Sequence, residues 1–583
     1  MIDRRLEFIQ NLESFLLKQN ADWAGPLQFE EPPATDQTQN FDLAIPCFSL
    51  SKIRKEAPQK CAENISSQLM EVTIKEKLGI ELTAVVKGFL NIRFSADILA
   101  KSALERIEEP LRSSAKALAK EKIVIDYSSP NIAKPFGIGH LRSTNIGGAL
   151  CRILTSLGAQ VIRINHLGDW GTQFGKMITA YKRFGSAEFV RGDPVNNLYK
   201  LYVEFHEREK DDPALLDEAR EWFVKLEKGD PEALELWKWF KDVSYHEFKR
   251  LYDRLGVDFD YVTGESFYNQ LMEKTAERLE TAKLLKKSEG AMIVDLEEFG
   301  MPPVLIRKSD GSTLYATRDL ATAEYRAKTF SPTKIVYVVG GEQTLHFRQV
   351  FKVLEMLGYD WAKNCVHVGF GLIKFPEGKM STRKGNIVLL EQVLDQSEKE
   401  ALKIVQEKNK EKPEERRLTE NEEFDIARAV GTGAVIFFDL HAKRTKDILF
   451  NWKDILNFEG DSGPYLQYTH VRLESLIERA KNEGIKFDDK TPLSLEVPEE
   501  RELIRRLLGF PAMVEAAARE FEPSMISHEL LDIAASFNRF YMNVSILKGE
   551  EKYKASRIQL VRFTQRVMQT GLGLLGIECP KKM

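Results

Sequence analysis

The chain has 583 residues, 43% hydrophobic and 30% charged, the balance of a globular enzyme and enough length for roughly three or four domains. A formal net charge of −4 argues against a protein that coats nucleic acid indiscriminately, because such binding draws on excess Lys and Arg to neutralise phosphates. An enzyme that reads one RNA through local basic patches remains compatible with it.

The start, Met1-Ile2-Asp3-Arg4-Arg5, leads into a mixed-charge helical pattern. With no long apolar run, neither a secretory signal nor a membrane span is indicated, and a cytoplasmic location is expected. Residues 1 to about 115 mix helical stretches such as 6–12 with a Pro-rich turn at Pro32-Pro33 and a strand-like piece at 89–94, which reads as a separate α+β module. From 122–127 onward, short apolar runs at 160–164, 334–339 and 365–368 alternate with helical patterns, the signature of a parallel sheet wrapped by helices.

Between about 185 and 290 polar helices interrupt that alternation, among them one from Pro231 through Trp237 and on to Leu255; they read as insertions into the sheet domain. The charged run 407–417 reads as a solvated linker, with no clear strand after it. Leu530, Ile533, Ala534, Phe537 and Tyr541, like Ile504, Leu507 and Leu508, fall at helical spacing, so the last 160 or so residues read as a helical bundle. The cysteines Cys47, Cys61, Cys151, Cys365 and Cys579 are scattered without metal or redox spacing; reduced, structural thiols and no metal site are expected.

Two motifs carry chemistry. In the first, an apolar strand ends at Asp126-Tyr127, Pro130 stops the ladder, and a helix begins near His140-Leu141-Arg142. Such a strand-turn-helix unit places ligands beyond the carboxyl end of the sheet, facing helix N–H groups that favour phosphate. Gly137 and Gly139 let a nucleotide approach the backbone, His140 can donate to a phosphate oxygen, and Lys134 adds positive charge. Arg142 stands where a dinucleotide fingerprint needs its third glycine, which disfavours a dehydrogenase. Alone, the turn is more often a plain α/β crossover. The second motif is Lys379-Met380-Ser381-Thr382-Arg383-Lys384-Gly385, a polar, glycine-closed turn also suited to phosphates.

In this order and spacing the two motifs resemble the "HIGH" and "KMSKS" signatures of class I aminoacyl-tRNA synthetases. The longer string Ser128-Ser129-Pro130-Asn131-Ile132-Ala133-Lys134-Pro135-Phe136, followed by Gly139-His140-Leu141-Arg142-Ser143-Thr144, resembles the arginyl-tRNA synthetases in particular. Gly137 departs from the family by occupying the place of the first histidine, and Thr382 stands where many class I enzymes carry a second lysine. The resemblance implies an α/β, multidomain protein: a Rossmann-like parallel-sheet catalytic core at 116–395 with insertions at about 185–290, an N-terminal α+β module at 1–115 that touches the tRNA elbow, and a C-terminal all-α anticodon-binding bundle at 396–583.

The activity it implies is ATP-dependent ligation of L-arginine to tRNA(Arg) through an arginyl-adenylate, with exchange of pyrophosphate only when tRNA is present. Catalytic roles fall on His140, Lys134, Lys379 and Ser381, and ATP contacts on Gly137, Gly139, His140, His346, Lys379, Met380 and Ser381. A guanidinium needs carboxylates and neutral acceptors in a fork; the resemblance assigns Asp126, Asn131, Tyr315, Asp319 and Gln343 to arginine. Tyr465, Tyr468, Tyr541 and the terminal Met583 match tRNA-binding positions, where exposed aromatics stack on splayed bases. ATP with Mg2+, tRNA(Arg) and arginine are the expected partners, with no membrane contact and a monomeric state. A small nucleotidyltransferase would share the first motif but has no use for a helical C-terminal third; a noncatalytic tRNA-binding paralogue would have no use for an amino-acid pocket.

Overall fold

The computed structural model describes every residue except 1, 2, 4, 5, 24–26, 33–39, 310–314, 375–387, 456, 458 and 459. Two compact units result, Leu118–Asn457, and a second made of Met1–Ala117 together with Phe458–Met583. Pro33 of the expected turn lies outside the described residues.

In the second unit, β1 (Leu43–Pro46), β2 (Ile80–Val86) and β3 (Phe89–Phe94) form an antiparallel sheet in the order β1-β3-β2. The β2–β3 turn has positive φ at both Lys87 (50°) and Gly88 (81°), the backbone whose twist suits a two-residue hairpin. Four long helices follow at the other end of the chain, Gly463–Asn482, Pro498–Glu520, Ser524–Asn543 and Glu551–Leu575. Arg501, on the second of them, donates to the buried carboxylate of Asp42 (2.6 Å), which also accepts from the Phe94 N–H (2.8 Å). That charge-assisted link joins the N-terminal sheet to the helices as one body.

The first unit is built on five parallel strands, β4 (Lys122–Asp126), β5 (Gln160–Asn165), β6 (Tyr261–Val262), β10 (Lys334–Tyr337) and β11 (Cys365–His367), in the order β11-β10-β4-β5-β6. The strand order reverses around β4, so the crevice for ligands lies beyond its carboxyl end. There the helix Leu141–Ser156 begins after a short turn Ile138–His140, as expected. Strands β7 (Leu285–Ser288), β8 (Ala291–Val294) and β9 (Val304–Arg307) make a separate antiparallel sheet. β12 (Ile373–Lys374) pairs with β13 (Ile448–Leu449).

The structure departs from the sequence reading in three places. The edge strand β6 lies inside the stretch read as insertion. The run read as a linker is largely the end of the helix Leu390–Lys410, which is anchored by buried Leu390, Val393, Leu394, Ala401 and Val405; charge on its outer face masked that stripe. β13 is a strand after that run, too short to show alternation. The insertion helix Pro231–Leu255 runs as read: Asp230 caps it by accepting from the Ala233 N–H (3.0 Å), Pro231 opens it and Gly256 (φ 62°) closes it.

Candidate active site

From β4 the chain enters a turn that no ordinary loop would adopt. Ser128 (φ 70°), Ser129 (49°) and Ala133 (58°) all lie in the left-handed region without being glycine. Such residues cost about 1–3 kcal/mol each and persist only where the surroundings dictate them. Here side chains do so: the Ser128 N–H donates to Ser143 Oγ (2.9 Å), Ser128 Oγ shares hydrogen bonds with Thr144 and Tyr252, and the Ala133 N–H donates to Ser244 Oγ (3.0 Å). Gly147 in the following helix is required by close approach, since a Cβ there would sit 2.3 Å from the Tyr127 ring.

His140 ends the turn, its ring against Phe136 (centroids 5.0 Å apart). Burial pushes its pKa down to about 4, with Lys134 acting in the same direction, so the imidazole is neutral near pH 7 and offers a hydrogen bond without net charge. Lys134 lies over the Tyr202 ring at 5.5 Å. Gly137 has an ordinary extended backbone (φ −78°, ψ 161°) and bridges to Leu389. The Ile138 N–H donates to the Val388 carbonyl (2.9 Å) and the Leu390 N–H to the Phe136 carbonyl (3.0 Å). The residues that follow the second motif are thus hydrogen-bonded to the first.

Arg142, buried, donates through Nη1 to the carbonyls of Gly371 (2.9 Å) and Lys446 (2.8 Å) and through Nε to buried Asp439 (2.9 Å). That fork ties the first motif's helix to the chain that leads towards the second. Lys379, Met380 and Ser381 themselves lie outside the described residues.

A cavity of about 980 Å³ opens beside this turn, with Asn131, Lys134, Trp170, Tyr202, Glu265 and Tyr315 among the residues on its wall. Asn131, Lys134 and Tyr315, expected to act together, therefore share one space. Asp319, one turn along the helix Tyr315–Phe330, pairs with His346 Nε2 (2.6 Å). Asp126 is engaged by buried Arg326 (2.7 Å) and accepts from Ser129 Oγ (2.8 Å). Gln343 is exposed in the turn Gly341–Gln343, where the Gly341 N–H donates to the Phe370 carbonyl (2.8 Å).

The sequence reading missed Glu265, at the first position of the helix Glu265–Thr281. Its carboxylate is 3.3 Å from Arg318 and accepts from the Trp170 N–H. Burial lifts it to about 7 against the pull of Arg318, and the negative charges of Asp169 and Asp319 add to the rise. A carboxylate displaced upward in a cavity is a candidate cation contact; no local motif marks it, because its partners come from other elements.

In the helical unit, the four expected positions are described. Arg472 lies over the rings of both Tyr468 (5.0 Å) and Tyr541 (5.2 Å), which are 39% and 42% exposed. Asn538 joins them, donating to Tyr465 Oη (2.7 Å) and accepting from Arg472 (2.9 Å). Met583 is partly buried. Exposed aromatic faces around a cation suit base stacking and phosphate contact.

A family described as "tRNA synthetases class I (R), catalytic domain" matches residues 106–452, and a "DALR anticodon binding domain" matches 466–583. Strand, constrained turn and following helix are thus the catalytic fold of a class I aminoacyl-tRNA synthetase. The chain is 44% identical to an arginine–tRNA ligase of Clostridium perfringens, over 93% of this chain and 94% of that one, and 46% identical to arginine–tRNA ligase 2 of Bacillus anthracis, over 96% of each. It superposes on Thermus thermophilus arginyl-tRNA synthetase with a TM-score of 0.81 at 25% identity, covering 98% of this chain and all of the other. The chain belongs to the arginyl-tRNA synthetase family.

Proposed function

We propose that this chain joins L-arginine to tRNA(Arg) in two steps, and that its described residues divide the work by charge. In the first step a carboxylate oxygen of arginine attacks the α-phosphorus of ATP, an acyl–phosphate bond forms, and the bond to pyrophosphate breaks. In the second, a terminal ribose hydroxyl of the tRNA attacks the activated carbonyl, and AMP leaves with the bonding pair. Neither step needs a nucleophilic side chain, so the site has to position reactants and stabilise growing negative charge.

The observation that carries this reading is the shared cavity of Asn131, Lys134, Tyr315 and Glu265 beside the constrained turn. Glu265 and Asp319 hold the guanidinium, with Tyr315 against it. Asn131 and Gln343 contact the other end of arginine, and Asp126 acts there through its pair with Arg326. Lys134, neutral His140, Gly137 and Gly139 face the ATP phosphates with Lys379, Met380 and Ser381, and His346 lies nearer the nucleotide. Among the described residues no group of three or more His, Cys, Asp or Glu could hold a metal ion; Mg2+ would therefore arrive bound to the ATP phosphates. Tyr465, Tyr468, Tyr541 and Met583 form the anticodon-facing surface, and the N-terminal module at 1–115 meets the tRNA elbow.

Among the described residues no helix is long and apolar enough to cross a membrane; we take the protein to act as a monomer in the cytoplasm. The test is pyrophosphate exchange across the amino acids, with and without tRNA(Arg). Exchange with arginine alone, and only when tRNA is present, is expected. A protein that binds the tRNA but shows no arginine-dependent exchange would be a noncatalytic paralogue.

A further inference from the structure

The helix Pro231–Leu255, part of the stretch read as insertion, carries a stripe at 237, 241, 244, 248 and 252, spacings of three and four that keep one face along six turns or so. Every member of that stripe meets a part of the active site. At the first end, Trp237 Nε1 donates to the Asp169 carbonyl (2.8 Å) and Lys241 Nζ to the Asp169 carboxylate (2.6 Å). Asp169 is fully buried and also accepts from the Ser266 N–H and hydroxyl (2.8 Å each). Its sequence neighbour is Trp170 and that of Ser266 is Glu265; both line the cavity, and the Trp170 N–H donates to the Glu265 carboxylate.

In the middle of the stripe, Ser244 accepts from the Ala133 N–H and Phe248 packs on Phe136, while Tyr252 holds Ser128. On the adjoining face, Arg250 pairs with Glu391, and Arg254 with Asp395 (2.8 Å) and Glu398 (3.0 Å). These acids belong to the helix Leu390–Lys410, which starts where the chain leaves the second motif.

We propose that the helix Pro231–Leu255 is a positioning strut of the active site, and that Lys241 is the residue through which it sets the amino-acid pocket. Lys241 touches no reactant. It neutralises Asp169, whose two carboxylate oxygens fix Ser266 and thereby the placement of Glu265 and Trp170. Arg254, at the other end, acts on the exit of the second motif and so on ATP. One rigid element then holds both reactants in a single frame, as an in-line displacement requires. The proposal rests on the reading of the cavity as the arginine site.

The experiment compares Lys241→Met, Lys241→Arg, Trp237→Phe and Arg254→Ala with the wild type in pyrophosphate exchange, with tRNA(Arg) present. Wild type without arginine-dependent exchange would defeat the arginine-site reading itself. Given wild-type exchange, Lys241→Met should raise KM for arginine at least tenfold and leave KM for ATP within twofold; Lys241→Arg should restore most of the loss. Arg254→Ala should show the reverse split, a changed KM for ATP or kcat with KM for arginine within twofold. Should Lys241→Met fail to fold, Trp237→Phe, which keeps the ring and removes one hydrogen bond, should raise KM for arginine severalfold. An unchanged arginine KM in Lys241→Met, or in Trp237→Phe where that variant has to stand in, overturns the proposal, as does an equal rise in both KM values.

Discussion

Glu265 must be ionised to hold a guanidinium, yet burial lifts its carboxyl to about 7 from an ordinary 4.5. An acid raised in this way binds more protons folded than unfolded between those values. The empty pocket is therefore favoured by acid, and the arginine-ready form prevails only above about pH 7. A bound cation reverses the balance, so binding arginine at lower pH expels up to one proton. Apparent affinity scales with the competent fraction; that fraction is about a tenth at one pH unit below the midpoint and about nine-tenths at one unit above. KM for arginine should thus be about tenfold higher near pH 6 than near pH 8, read by pyrophosphate exchange at saturating ATP with tRNA(Arg) present.

Glu265→Gln should abolish this slope and raise KM near pH 8 on the order of a hundredfold or more, as expected when one partner of a largely desolvated ion pair is removed. The same displacement fixes the effect on stability. Its contribution is fully present below about pH 4.5 and is lost as pH rises through about 7, because the empty pocket then holds an ionised carboxylate. Glu265→Gln should accordingly raise the melting temperature near pH 8 in the absence of arginine. A wild-type KM that stays flat from about pH 6 to 8, or a Gln variant that keeps the slope, would refute the assignment.

His140→Ala should lower kcat by about 10²–10³-fold, the loss seen when one donor to a developing oxyanion is removed; single-turnover adenylate formation reads it directly. Asp439→Asn leaves the buried Arg142 guanidinium without its counter-charge and should destabilise the unit by about 3–5 kcal/mol in chemical denaturation. Arg472→Ala removes the cation between Tyr468 and Tyr541 and should raise KM for tRNA by roughly 5–100-fold, the equivalent of ~1–3 kcal/mol per stacked base, while KM for arginine in exchange stays unchanged.

What was legible in the sequence follows from what is local. The strands β4, β5, β10 and β11 are continuous apolar runs because parallel strands are covered on both faces, and the helix Pro231–Leu255 announces itself by its cap, its first-turn proline and its closing glycine. β6 was not legible: two residues at a sheet edge, one exposed and the other partly buried, carry no period. Glu265 and Asp169 were not legible either, because their chemistry lies in partners from distant segments, Arg318 for one and Lys241 for the other. The motif at Asp126 was legible as a position, while its occupation by Arg326 depends on a helix that begins nearly two hundred residues later.

The constrained turn shows why a departure such as Gly137 can be carried. Its left-handed residues, Ser128, Ser129 and Ala133, owe their conformation to hydroxyls supplied by Ser143, Thr144, Ser244 and Tyr252, and only the first two of these lie near it in sequence. Gly137 contributes in another way: its backbone bridges to Leu389 in an extended conformation open to any residue. The turn's shape therefore does not depend on which side chain stands at 137. What a histidine there would add is one more donor to the phosphates, and stabilisation of that charge is already divided among His140, Lys134 and the N–H groups at the start of the helix Leu141–Ser156. The loss of one member of such a set lowers a sum; it does not remove the means of catalysis.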